Sequence, residues 1–95
     1  MTLAGQSAIS PDVVARYAGD AAREVDGVTG VVAGVRKGVR IEGDQVELHL
    51  AVRWGVSIPE VGTEVQRRVA DYLERMTDVR PVAVNVVVEQ VDGAP

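Results

Sequence analysis

Few residues in this 95-residue chain could do chemistry: a single histidine, His49, three serines, Ser7, Ser10 and Ser57, and no cysteine at all. Without thiols, disulfides, thiolate nucleophiles and Cys-ligated zinc are excluded. A solitary imidazole would leave a transition-metal site to carboxylates alone, a poor ligand set for such ions. His49 stands in an alternating run with Glu47 and Arg53, and the spacing predicts a plain sheet-face residue. Ser10 and Ser57 stand where helices should begin and read as caps, and no serine has a recognisable general base nearby in sequence. The expectation is a chain with no catalytic, metal-binding or cofactor-binding residues, no cofactor and no enzymatic activity.

The elements that would carry these residues follow from periodicity. Ser10-Pro11-Asp12 announces a helix, with Ser10 as cap, Pro11 in the first turn and Asp12 at the positive helix end. Val14, Tyr17, Ala18, Ala21 and Val25 then recur at helical spacing, and Gly27 should stop the run. From Val28 to Trp54 the period is two, interrupted by Gly43-Asp44, a two-residue hairpin signal. Pairing outward from that turn sets Ile41 opposite Val46, Val39 opposite Leu48, Val35 opposite Val52 and Ala33 opposite Trp54, with Arg40 facing Glu47. Lys37 would then fall on the apolar face, so a bulge or break is expected near Lys37-Gly38.

Ser57-Ile58-Pro59-Glu60 has the spacing of a capping box and opens a second helix, striped by Ile58, Val61, Val65, Val69, Tyr72, Leu73 and Met76. A last strand should follow Pro81, with Val82, Val84, Val86 and Val88 on one side and Ala83, Asn85, Val87, Glu89 and Val91 on the other. The predicted class is α+β: a two-layer α/β sandwich in the order α-β-β-α-β, with a three-stranded mixed sheet and both helices on one face. Residues 1–8 would form a flexible N-terminal segment, 9–91 a single domain and 92–95 a short tail. The uncovered sheet face is the predicted partner-binding surface, made of Val32, His49, Ala51, Arg53, Asn85, Val87 and Glu89, partly apolar and poor in bulky charges. Gly34, Ala83 and Val91 are expected beside them.

Composition narrows the role. The apolar fraction of 46% and charged fraction of 25% are those of a folded domain, and no stretch is long and apolar enough to span a membrane. The N-terminus lacks the basic and apolar regions of a secretion signal, so the expected location is the cytoplasm. A net charge of −4 disfavours a nucleic-acid partner. Gly27-Val28-Thr29-Gly30 matches the GxxG that K-homology modules use to clamp RNA, which keeps an RNA-binding module as the alternative; here, however, the motif should join a helix to a strand without flanking cations. Arg36, Lys37 and Arg40 form the densest basic run, surrounded by Glu42, Asp44 and Glu47.

Several blocks resemble a known family in order: Ile9-Ser10-Pro11-Asp12-Val13-Val14, the segment 21–28, Lys37-Gly38-Val39-Arg40-Ile41-Glu42, the segment 53–61, Val65-Gln66-Arg67-Arg68-Val69, Glu74-Arg75-Met76-Thr77 and Val84-Asn85-Val86. Together they are similar to the bacterial alkaline shock protein, or envelope stress response, family over about residues 6–91. The resemblance implies a cytoplasmic, mainly Gram-positive protein of cell-envelope homeostasis with no known catalytic activity. It further implies protein partners, among them a small membrane-anchored one, and self-assembly into homo-oligomers. The chain departs from the family at Asp78, where Gly usually follows the helix-ending Thr, and at Val87, where a His is usual.

Overall fold

The computed structural model describes residues 9–32, 38–78 and 80–93; the expected flexible segment 1–8 lies outside them. Helix α1 spans Pro11–Arg23, and the Ser10 Oγ at its N-cap accepts the Val13 N–H at 3.3 Å. The helix stops before the expected Gly27 signal. Glu24 is its C-cap, and a turn closed by the Val28 N–H on the Val25 carbonyl at 3.1 Å carries the chain through Gly27 into β1 (Val28–Val31).

Strands β2 (Val39–Glu42) and β3 (Gln45–Arg53) form the expected hairpin, with Gly43 at φ 62° supplying the left-handed backbone that the two-residue turn requires. Near the turn the register is the one read from the sequence: Ile41 opposite Val46, Arg40 opposite Glu47, Val39 opposite Leu48. Farther out it is not. Val52 pairs with Val28 rather than Val35, Val31 pairs with Leu50, and the register slips around Thr29.

A bulge or break was expected near Lys37-Gly38, and the described residues on either side of 33–37 show why the register differs. The Val32 N–H donates to the His49 carbonyl at 2.8 Å and the His49 N–H donates to the Gly38 carbonyl at 2.7 Å, so the chain leaves and rejoins the sheet at the same β3 residue. Gly38 returns at φ 74° against the Val32 carbonyl, where a Cβ would also lie 2.6 Å from Val31 Cγ1. Val35, Ala33 and Lys37, whose pairings had been predicted, lie outside the described residues, as do Gly34 and Arg36.

β1 and β2 therefore share one edge of β3, and the order is α-β-β-β-α-β with four strands in three lanes. Helix α2 (Ile58–Thr77) crosses over from β3 to β4 (Ala83–Asp92), which pairs parallel to β3 on its other edge and makes the sheet mixed. Ser57 caps α2 by accepting the Glu60 N–H at 3.3 Å, and Asp78 ends it at φ 60°, a left-handed cap that Gly would occupy more easily. β4 runs one residue beyond the expected boundary, and Val82, expected inside, precedes it and is 74% exposed.

Both helices pack on one face. Leu48, Leu50, Val52, Val65 and Val69 are fully buried and Leu73 nearly so, joined by Ala18, Ala22 and Val84 in a single cluster. Burying each Val or Leu contributes roughly 1.5–3 kcal/mol against chain entropy. Small alanines on α1 and valines on α2 bring the helices close, and Tyr17 meets Tyr72 edge-on with centroids 5.8 Å apart.

Candidate functional site

The uncovered face is organised by its central strand. Alternation along β3 sends Val46, Leu48, Leu50 and Val52 to the helices and Glu47, His49, Ala51 and Arg53 to the opposite side. β4 adds Ala83, Asn85 and Val87 there, in register with Gln45, Glu47 and His49. Val32 joins from the other edge through its backbone bond to His49.

His49 sits between two carboxylates. Its Nε2 lies 2.7 Å from Glu47 Oε2 on the same strand, and its Nδ1 lies 2.9 Å from Glu89 Oε1 on β4. Ionised carboxylates only accept, so both contacts are hydrogen bonds only when both ring nitrogens carry hydrogen, that is, in the imidazolium. The Glu47 bond first and the Glu89 bond second raise the His49 pKa above the ordinary 6.5, with burial opposing them. The two carboxylates approach opposite nitrogens instead of converging on a common point. Among the described residues no group of three or more His, Asp and Glu could hold a metal ion.

Glu89 lies next along the same face of β4 from Val87, which is in register with His49; the β3–β4 register then shifts by one residue between Leu50 and Ala51, leaving Glu89 as the extra residue. Alternation of the two faces was legible in the sequence; this bulge was not. It also corrects the placement of Val91, which comes alongside Val52, and brings Asp92 alongside Arg53. Asp92 Oδ2 accepts the Thr29 hydroxyl at 2.7 Å, a bond that bridges β1 and β4 over the central strand. Gln90 and then Thr29, as hydrogen-bond donors, hold the Asp92 carboxyl below its usual range.

The face is thus less open than its sequence implied. Ala51 is only 5% exposed, His49 and Val32 are partly buried, and Asn85, Val87, Glu89 and Arg53 remain accessible. Arg53 pairs with Asp26 at 3.6 Å, and Arg40 with Glu42. Gly27-Val28-Thr29-Gly30 runs from a turn into β1, where Gly30 pairs with Ala51, so it joins a helix to a strand and not two helices. No helix among the described residues is long and apolar enough to cross a membrane.

The uncharacterized protein YqhY of Bacillus subtilis is 33% identical over 99 aligned residues, which span 86% of this chain and 73% of that protein. Two solved structures of the MamM CTD superpose with TM-scores of 0.59 and 0.54 at 18% and 19% identity, covering 88% and 85% of this chain and 97% and 98% of theirs. At such identities the likeness is one of fold. Residues 33–93, more than half the chain, match the family of alkaline shock protein 23, described by a cell envelope-related function. The chain belongs to that alkaline shock protein family, as the successive sequence blocks had implied.

Proposed function

We propose that this protein is a non-catalytic adaptor or scaffold of the cell-envelope stress response, working in the cytoplasm close to the membrane by docking a protein partner on the uncovered sheet face. The observation that carries this reading is the face itself. Val87 is 37% exposed beside Asn85 and the Glu47–His49–Glu89 clamp, with Arg53 farther along β3 on the same face, and no described element covers it. Exposed apolar area rimmed by polar groups is the usual composition of a docking surface. The clamp holds the polar groups in place, so a partner meets a preorganised surface. The family's cell-envelope role supports the proposed setting.

The chain has no native cysteine, so a single introduced thiol reports on one position. Val87→Cys carrying a photocrosslinker should capture one discrete polypeptide in cells, and adding Arg53→Glu should abolish that capture. The same crosslinker at Arg68 on α2, remote from the sheet face, should not capture it. Equal capture from both positions, or capture indifferent to Arg53→Glu, would sink the reading.

A further inference from the structure

The edge of β4 away from β3, along which no other described strand lies, offers a second, different surface. β3 directs alternate backbone groups to each side: Val32 and Gly38 bond to His49, and the Arg53 N–H donates to the Gly27 carbonyl at 2.8 Å, so its odd-numbered residues serve the β1/β2 edge. Its even-numbered residues serve β4. With Leu48 in register with Val86 and Leu50 with Val88, the backbone groups of Ala83, Asn85 and Val87 point to β3, and those of Val84, Val86 and Val88 point away from it.

The bond from Gln66 Nε2 to the Val84 carbonyl at 3.0 Å agrees with that assignment, since it comes from α2. No other described strand lies along this edge. Natural edge strands are commonly guarded by charge or proline. In a chain that is 25% charged, Ala83, Val84, Asn85, Val86, Val87 and Val88 carry no charge and no proline, and the guarding features, Pro81 and the bulge at Glu89, lie just outside this run.

Above the edge, the flank of α2 that carries Gln66 is uncharged as well. Pro59, Gly62, Thr63, Gln66 and Ala70 share it at helical spacing, and a Cβ at Gly62 would meet nothing within 4 Å. The charged residues Glu64, Arg67, Arg68 and Asp71 pair with one another, and of these Arg67 borders the flank, one turn beyond Thr63.

We infer that β4 pairs antiparallel with β4 of a second copy of this chain, joining the two sheets into one across a twofold axis. Antiparallel pairing of one segment with itself is self-complementary, and the uncharged run places no like charges opposite each other. A specific interface buries on the order of 1,000 Å², more than six paired residues provide, and the small-residue flanks of the two α2 helices extend the contact. Both partner-docking faces would then lie on the same side of the joined sheet.

Amide hydrogen exchange across a concentration series tests this on the native chain. The amides of Val86 and Val88 should slow as concentration rises, whereas those of Asn85 and Val87, already bonded to β3, should not. Sedimentation should show a dimer that Val86→Pro, which removes an edge donor and no β3 bond, or Thr63→Lys weakens by about tenfold or more. Far-UV circular dichroism establishes whether each variant is folded, and should Val86→Pro not fold, the exchange data on the native chain decide. A monomer at millimolar concentration overturns the proposal. So does a dimer lost in Val87→Arg but kept in Thr63→Lys, which would assign association to the face and leave partner docking there to be judged by the crosslinking.

Discussion

The two faces of one sheet are built on opposite principles. The helix-covered face is a continuous apolar layer in which Leu48, Leu50 and Val52 have lost all contact with water. The uncovered face keeps its polar groups and fixes them in pairs, Glu47 and Glu89 on His49 and Thr29 on Asp92. The first holds the fold by desolvation. The second adds little stability, because its ion pairs are solvated, but presents a defined pattern of charge and shape.

Truncation should expose that difference most sharply. Leu50→Ala should cost about 2–5 kcal/mol by denaturant unfolding, a large share of a stability of roughly 5–15 kcal/mol, whereas Val87→Ala on the other face should cost under about 1 kcal/mol. Similar values for the two would break the contrast. Gly38→Ala should follow at about 2–4 kcal/mol, because a Cβ there is forced against Val32 and Val31 in a left-handed backbone; a neutral result would mean that the chain does not rejoin β3 as described.

Asp78→Gly should act in the opposite direction, raising stability by up to about 1 kcal/mol as the strain of a left-handed Asp is relieved, less the extra entropy of Gly in the unfolded chain. A loss would point to a role for the Asp78 side chain that the cap geometry does not require. The smallest effect concerns His49 and pH. Its folded pKa lies above 6.5, so the stabilisation from the imidazolium is complete below pH 6.5 and is lost as pH rises through the folded value. Thermal unfolding of the wild type relative to His49→Gln should therefore show an advantage that shrinks on the alkaline side. An advantage that grows with pH would refute the clamp.

Much of this could be read from residue types alone. Ser10 and Ser57 marked both helix starts because a cap is a local bond to a backbone N–H within three residues. Gly43-Asp44 marked the hairpin, and the register held as far as Val39 because turn geometry propagates only along an uninterrupted ladder. Beyond Gly38 that argument failed: alternation in β1 and β2 is equally consistent with one long strand or with two short ones sharing a partner. The face was legible as a period-two pattern in β3 and β4. The His49–Glu89 bond was not, because it joins residues forty positions apart on two strands whose register local residue types do not fix.

By itself, then, the sequence determined the inventory and the local geometry: which residues cap, turn and alternate, that there are no thiols, and that only one imidazole exists. Tertiary structure alone decided which strands share an edge, where the ladders slip, that both carboxylates meet the same ring, and that no other described strand lies along the outer edge of β4. The reason is physical. Caps and turns are settled by interactions a few residues long, whereas strand neighbours and registers are chosen by how Val and Leu side chains from distant segments fill one shared core.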